Sequence, residues 1–242
     1  PSIVHPFTML TTNMPETHRQ KRAIIMDLLF GKPAQLVSVA KALKGSIHPV
    51  LPHPAPHAVL GTPITGPWKD TQETLYVGLG CFWGAEKLLW KTPGVESTAA
   101  GYAGGVTQNP TYREVCTGRT NHAEVVQVVY DPQKITTEQL IVKVLEAHDP
   151  TQGFRQGNDV GTQYRSAIYT TTPEQLEIAR RLVEHYQTKL TDAGYGDITT
   201  EVMPLIDTPA GTFYLAEAEH QQYLDKNPGG YCPRHSTGIP CN

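Results

Sequence analysis

The sequence lacks three features that would each assign it to a class of proteins. It has no apolar run long enough to span a bilayer. Its 20 basic and 23 acidic residues give a net charge of −3, so no basic surface indicates a nucleic acid or an anionic membrane as a partner. Its four cysteines in 242 residues are too few for a disulfide framework. The composition, 39% hydrophobic and 18% charged, is typical of a globular protein with a large core, and we expect a cytoplasmic location.

The cysteines are unevenly placed along the chain. Cys81 and Cys116 lie in its body, whereas Cys232 and Cys241 lie in a tail rich in glycine and proline. This placement suits redox chemistry better than a structural framework. Because no Cys-x-x-Cys or His-Glu-x-x-His spacing occurs, no metal site is predicted. We expect Cys116 to be a buried bystander.

The chain is predicted to have four segments. Residues 1–35 are expected to be a disordered or peripheral N-terminal extension, with Met26 as a candidate natural start. Residues 36–72, rich in proline and histidine over much of their length, are predicted to be an extended arm lying on the domain. Residues 73–228 are predicted to be the catalytic domain, and residues 229–242 a redox-active tail.

Strand and helix patterns alternate within the domain. Strands are predicted at 74–79, 96–102, 123–130, 165–170 and 198–203, and helices at 82–91, 136–148, 172–193 and near 217–224. Capping signals stand at Thr136 and Thr172. The alternation predicts an α+β fold, a two-layer sandwich with a ferredoxin-like split β-α-β core, long loops at 103–111 and 148–164, and a coil C-terminal tail.

Cys81 stands where a predicted strand turns into a predicted helix. Free backbone N–H groups at the positive end of a helix can stabilise a thiolate. Gly80 and Gly84 permit a tight turn and close approach of a substrate. The two aromatic residues that follow, Phe82 and Trp83, can wall an apolar pocket beside the sulfur. This pattern predicts a nucleophilic cysteine.

Residues 80–84, Gly-Cys-Phe-Trp-Gly, resemble the signature of the A-type peptide methionine sulfoxide reductases. Further similar segments follow in that family's order and with its spacing, at 97–102, 109–116, 122–124, 148–153, 155–159, 161–166 and 220–224. The resemblance covers roughly residues 36–242. It implies thiol-dependent reduction of methionine sulfoxide, free or in proteins, with the S configuration at sulfur, and hence repair of oxidative damage.

The resemblance also implies roles for individual residues. Cys81 would attack the sulfur atom of the substrate, and Glu124 would donate a proton to its oxygen. Tyr112 and Tyr164 would donate hydrogen bonds to that oxygen, and Asp159 would be the family's site aspartate. Phe82 and Trp83 would bind the methyl group of the substrate.

The tail cysteines are the recycling residues that the resemblance implies. A sulfenic acid on Cys81 would condense with Cys232 to a disulfide. Cys241 would then attack that disulfide and form a Cys232–Cys241 disulfide. No bound cofactor is expected, because a thioredoxin-type reductant would supply the reducing equivalents. The expected partners are this reductant and oxidised proteins or peptides that contain methionine sulfoxide.

Two other classes of function remain open from the residues alone. A cysteine hydrolase would use the same strand–turn–helix elbow, with Glu124 and a histidine as partners of Cys81. A non-enzymatic zinc module would use all four cysteines, although their spacing does not support it.

Overall fold

The computed structural model describes residues 34–231 and 235–241. The expected extension up to residue 33, with Met26, lies outside the described residues, as do the predicted recycling residue Cys232, its two successors and Asn242. Ala34–Asn242 forms one compact unit. Within the described part of this unit, no helix is both long enough and apolar enough to cross a membrane.

The described residues contain eight strands and five α-helices. The strands are β1 Glu73–Leu79, β2 Val95–Ala103, β3 Ala123–Tyr130, β4 Arg155–Gln156, β5 Asp159–Val160, β6 Ser166–Thr170, β7 Glu201–Pro204 and β8 Tyr214–Leu215. The helices are α1 Phe82–Trp90, α2 Tyr112–Cys116, α3 Thr137–Glu146, α4 Pro173–Asp192 and α5 Tyr223–Lys226.

Six strands form one sheet in the order β7-β6-β1-β3-β2-β8. Both β1 and β2 pair with β3 in the antiparallel sense, so β1 and β2 are parallel with β3 between them. Helix α1 connects them, which is the predicted split β-α-β arrangement. Strand β6 pairs antiparallel with β1 and completes the ferredoxin-like order, while β7 and β8 extend the two edges. The predicted fold class is therefore confirmed.

The central strand β3 is buried along its whole length. Val126 and Val128 face the main core with the helices, whereas Val125 belongs to a smaller cluster on the opposite face of the sheet. The arm contributes to the cover of that opposite face, where Gln127 Nε2 donates to the Ile64 carbonyl at 3.0 Å. A strand buried on both faces needs no polar alternation, which explains the valine-rich run of its sequence.

Residues 34–72 lie along the domain with one short 3₁₀ turn, Val39–Lys41, as their regular structure. The Asn121 side chain bonds both the N–H and the carbonyl of Val37, at 2.9 and 2.8 Å. Further along, Ser46 N donates to the Gln108 carbonyl at 2.9 Å. Domain groups thus satisfy backbone polar atoms that an irregular segment cannot satisfy alone.

The structure differs from the predicted elements at several ends. The predicted turn at Tyr112–Cys116 is a short helix, because Thr111 and Glu114 form a capping box. The short helix predicted near 217–224 begins only at Tyr223, since Gln222 has a left-handed backbone with φ of 47°. The hairpin of β4 and β5 and the edge strand β8 were not predicted, because two-residue strands are too short to show periodicity.

Gly80, between β1 and α1, is predicted to tolerate no side chain. Its φ is +92°, and an added Cβ would lie 2.7 Å from the Gln156 side chain. Gln156 cannot move freely, because it bonds both the N–H and the carbonyl of Asp149. We expect Gly80→Ala to lower the free energy of unfolding, measured in urea, by more than the roughly 1–3 kcal/mol of a left-handed backbone, and to change the rate at which Cys81 is alkylated.

Gly194→Ala is the matched control. Its φ is +86° and nothing lies within 4 Å of an added Cβ, so it carries the backbone cost without the contact. Equal losses of stability in the two variants, with an unchanged alkylation rate at Cys81, would contradict the prediction.

Candidate active site

The turn between β1 and α1 presents Cys81. The residue is half-buried and forms the N-cap of α1, with φ of −56° and ψ of 121°. Its thiol therefore lies beside the free N–H groups of the first helical turn. Hydrogen bonds from Trp83 and Gly84 favour the thiolate form.

Glu124 lies beneath this turn as the second residue of β3. It is 1% exposed, and its Oε2 accepts a hydrogen bond from the Phe82 backbone N–H at 3.1 Å. Burial raises its pKa to about 8, the Phe82 bond lowers it and nearby Asp159 raises it further. Its other oxygen, Oε1, is buried and has no hydrogen-bond partner among residues 34–231 and 235–241. The carboxyl group thus holds a proton at neutral pH and has one oxygen free for a ligand.

The helix N-terminus does not by itself make Cys81 a thiolate. Burial raises the pKa of the Cys81 thiol, and Glu124, once it is ionised, and Asp159 raise it further, against the two backbone bonds that lower it. Burial therefore favours the thiol in this state, whereas stabilisation of a thiolate by the helix end stays a prediction.

Two half-buried tyrosines converge on the same carboxyl group. The pKa of Tyr112 is raised by burial and then by Glu124, and the pKa of Tyr164 by burial, Glu124 and Asp159. Both phenols remain protonated, so each can donate a hydrogen bond to an oxygen atom near Glu124.

Phe82 and Trp83 form part of an aromatic cluster. Phe82 stacks on Tyr112 with the ring centroids 6.4 Å apart. Trp83 stacks on Tyr223 at 3.8 Å with the ring planes 14° apart. Phe82 is buried, whereas Trp83 remains half-exposed, so an apolar surface begins at the two residues that follow Cys81.

Two residues that sequence reasoning did not place in the site support this cluster. Glu217 accepts hydrogen bonds from the Tyr112 N–H at 2.7 Å and from the Tyr102 hydroxyl at 3.1 Å. His220 accepts one from Trp83 Nε1 at 3.1 Å. Glu217 gave no signal, because it stands outside every recognisable motif.

Cys81 also lines a cavity of about 380 Å³. Asp159 lines it together with Cys81, and so do Glu146 of α3 and His235 of the tail. Asp159 Oδ1 accepts a hydrogen bond from the Tyr231 hydroxyl at 3.1 Å. The predicted site aspartate thus borders the thiol and also contacts the segment that leads to Cys232.

The tail borders this cavity and buries its last cysteine. Cys241 is 1% exposed, and its N–H donates to Glu146 Oε1 at 2.7 Å. The Tyr186 hydroxyl donates to the Ile239 carbonyl at 2.8 Å. Burial and Glu146 raise the pKa of Cys241 to about 11, so its thiol is protonated and covered in this conformation.

Cys116 is exposed, contrary to its prediction as a buried residue. It is the last residue of the five-residue helix α2, where its side chain points away from the core and hydrogen-bonds Tyr112. Cys81, Cys116 and Cys241 are all free thiols. Among residues 34–231 and 235–241, no group of three or more His, Cys, Asp or Glu side chains is placed to hold a metal ion.

Known proteins share both the sequence and the fold. The family model for peptide methionine sulfoxide reductase matches residues 73–239. The chain is 65% identical over 219 residues to the peptide methionine sulfoxide reductase MsrA of Corynebacterium kroppenstedtii, covering 89% of this chain and 100% of that protein. Methionine sulfoxide reductase A of Corynebacterium diphtheriae is similar in structure, with 63% identity, a TM-score of 0.79 and coverage of 86% of this chain and 98% of that one.

A more distant structure has the same fold. Mxr1 from Saccharomyces cerevisiae in its reduced form is 35% identical, with a TM-score of 0.63 and coverage of 70% of this chain and 94% of that one. Agreement of this extent, over nearly the full length of the relatives, means that the chain belongs to the family of A-type peptide methionine sulfoxide reductases.

Proposed function

We propose that Cys81 reduces methionine S-sulfoxide, free or in proteins, with Glu124 as the proton donor. The observation that carries this proposal is the buried Glu124 carboxyl, whose pKa of about 8 keeps it protonated at neutral pH. It hydrogen-bonds the residue that follows Cys81. A sulfoxide oxygen needs a proton as it leaves sulfur, and a neutral carboxylic acid at that position supplies it.

In the first step the sulfur of Cys81 attacks the sulfur of the sulfoxide. Glu124 protonates the sulfoxide oxygen, and the thiol proton of Cys81 replaces the one that Glu124 gave. The oxygen moves to Cys81, which becomes a sulfenic acid, and methionine leaves as the reduced product. Cys81 loses two electrons and the substrate sulfur gains them, so the step balances without a cofactor.

Two neutral phenols and an aromatic wall would select the substrate. Tyr112 and Tyr164 would donate hydrogen bonds to the oxygen as its negative charge grows. Phe82 and Trp83 would hold the methyl group, because an apolar wall favours it over a polar substituent. Asp159 would be a site residue in the cavity that Cys81 shares with the tail residue His235.

The tail would return Cys81 to its thiol form. Cys232 would condense with the sulfenic acid, releasing water and forming a Cys81–Cys232 disulfide. Cys241 would then attack Cys232, freeing Cys81 and leaving a Cys232–Cys241 disulfide. Support comes from the tail residue His235, which lines the same cavity as Cys81, and from Glu146, which also lines it and binds the Cys241 N–H.

A thioredoxin-type dithiol in the cytoplasm would reduce this last disulfide. The substrates would be oxidised proteins and peptides, so the overall activity would be repair of oxidised methionine. The support is the thiol chemistry of the tail together with the family to which the chain belongs.

Replacement of Cys81 tests the nucleophile. We expect Cys81→Ser to abolish even one turnover, because a serine hydroxyl is a far weaker nucleophile toward sulfur than a thiol. N-acetylmethionine formed from N-acetylmethionine S-sulfoxide in a single-turnover assay is the measurement. Cys241→Ser is the matched control, since Cys241 would act only after the substrate has been reduced and one turnover does not need it. Formation of N-acetylmethionine by Cys81→Ser would place the nucleophile elsewhere.

Replacement of Glu124 tests the acid. A carboxyl with a pKa of about 8 is protonated below that pH, so we expect the wild-type single-turnover rate to fall as the pH rises through about 8. Glu124→Gln keeps the shape but has no proton to donate. We expect its rate at pH 7 to be lower by roughly 10²–10⁴-fold, with little change in substrate affinity and without the fall near pH 8.

The stability of this variant is its internal control. Burial raises the pKa of Glu124 to about 8, above that of an unfolded glutamate, so folding favours the protonated form. The native state is therefore destabilised as the pH rises from the unfolded pKa of about 4 to about 8, and this group changes the stability no further above that pH. The neutral glutamine avoids that cost, and the melting temperature of Glu124→Gln at pH 8 should not fall. An unchanged rate at pH 7 in a folded variant would remove Glu124 from the mechanism.

Replacement of the tail thiols separates reduction of the substrate from recycling. We expect Cys232→Ser to release one equivalent of methionine in a burst and to retain a sulfenic acid on Cys81. We expect Cys241→Ser to accumulate the Cys81–Cys232 disulfide, which dithiothreitol reduces faster than thioredoxin does because a small thiol enters where a protein cannot. Rapid-quench assays with disulfide mapping by mass spectrometry measure both. Full thioredoxin-driven turnover in Cys241→Ser would show that Cys241 is a bystander.

A further inference from the structure

Glu86 is a second buried glutamate on the helix that begins next to Cys81. It is fully buried, and its hydrogen-bond partners are neutral groups. Its Oε2 accepts from the Gln222 backbone N–H at 2.8 Å. Its Oε1 accepts from Gln222 Nε2 at 2.8 Å and from the Thr98 hydroxyl at 3.1 Å. Burial raises the pKa of Glu86 to about 7, against the hydrogen bonds and the charge of Lys226, which lower it. The proposed mechanism gives this group no part.

The arm supplies the far end of this network. His57 Nδ1 accepts hydrogen bonds from the backbone N–H groups of Val59 and Leu60, both at 3.1 Å. Burial lowers the pKa of His57 to about 4, so the ring is neutral and its proton is on Nε2. That nitrogen lies 2.8 Å from the Thr98 hydroxyl and donates to it, which leaves the hydroxyl to donate to Glu86. Each hydrogen bond in this series, from the Val59 and Leu60 N–H groups through His57 and Thr98, is thus donated in the direction of Glu86.

The near end of the network is the backbone of Gln222. Its φ of 47° is left-handed, a conformation that costs free energy in a residue other than glycine and needs external support. The next residue, Tyr223, stacks on Trp83, and His220 accepts the Trp83 indole hydrogen bond. The two hydrogen bonds from Gln222 to Glu86 therefore fix the segment that contains both His220 and Tyr223, the two residues that contact Trp83.

We propose that Glu86 is a positioning residue for the substrate pocket. By holding Gln222 it fixes the position of the Tyr223 ring. That ring in turn fixes the position of Trp83 against the substituent on the substrate sulfur. This inference rests on the proposed role of Trp83 as a wall of that pocket. A wall fixed in this way discriminates a methyl group from an ethyl group, because the larger substituent must displace a ring that cannot retreat.

The test is the preference for N-acetylmethionine S-sulfoxide over N-acetylethionine S-sulfoxide, measured as the ratio of kcat/KM in one competition assay. A single methylene changes kcat/KM by about 10–200-fold in a rigid pocket. In Glu86→Gln, an NH₂ group replaces one of the two acceptor oxygens and faces a donor of Gln222. At least one hydrogen bond to Gln222 is therefore lost. We expect the ratio to fall by at least about threefold. Loss of folded protein alone lowers both rates equally and leaves the ratio unchanged.

Two further variants make the test specific. Glu96→Gln is the same substitution on β2, at a glutamate that bonds Lys134 and Gln72 near the surface, and its ratio should match that of the wild type. Tyr223→Leu removes the stacked ring while Glu86 stays in place. It should lower the ratio as Glu86→Gln does, and the double variant should lower it no further.

An unchanged ratio in folded Glu86→Gln would overturn the proposal, as would additive effects in the double variant. If Glu86→Gln does not fold, an unchanged ratio in Tyr223→Leu would overturn it instead. Failure of the proposed function has a different result, because then neither sulfoxide would be reduced in a manner that depends on Cys81.

Discussion

The hydrogen bond from the Phe82 backbone N–H to Glu124 joins the two structural elements on which the site depends. One end belongs to the first turn of α1, and the other to the central strand of the sheet. Because β1 pairs directly with β3, the turn that carries Cys81 emerges above Glu124. Removing the strand pairing would separate the nucleophile from the acid, so the core of the fold sets the geometry of the reaction.

Burial outweighs the helix end in the electrostatics of this pair. Charges near a helix terminus are stabilised by about 0.3–1 kcal/mol, up to about 2 kcal/mol in partly buried sites. Full desolvation costs a charged group up to about 4–7 kcal/mol, because it shifts the pKa by up to about 3–5 and each pKa unit is about 1.4 kcal/mol. The pKa values of both Cys81 and Glu124 are raised as a result. A site with two neutral groups avoids an unpaired buried charge until a polar substrate arrives. The protons needed for the reaction are then already in place.

The sequence predicted those parts of the structure that depend on local signals. The strand–turn–helix at Cys81 follows from an apolar run, a glycine and a helical pattern, and the capping box at Thr136 is confirmed. The hydrolase and zinc alternatives, which the residues left open, are wrong because the chain belongs to a reductase family. The exposure of Cys116 was missed, because a five-residue helix is too short to show which face it buries.

Features that depend on distant contacts were beyond prediction. Glu217 joins the site through the backbone of Tyr112, more than a hundred residues away in the chain, and nothing beside Glu217 in the sequence indicates this. The packing of the tail on α3 and α4 was likewise unpredictable, because a glycine- and proline-rich segment has no periodic apolar pattern. The assigned roles of the site residues stay predictions, whereas their convergence around Cys81 is a property of the fold.

The buried position of Cys241 links redox chemistry to folding. Tyr186 of α4 and Tyr195, which follows that helix, hold the tail through their hydroxyl groups, so the thiol would become accessible through a departure of the tail from these contacts. Such a departure is a local unfolding event with its own free energy, smaller than that of the whole domain. A relay through Cys241 would make each catalytic cycle include one opening of the C-terminus. Temperature, urea or a substitution at Ile239 would then change the turnover number through this opening equilibrium, without touching any atom that reacts.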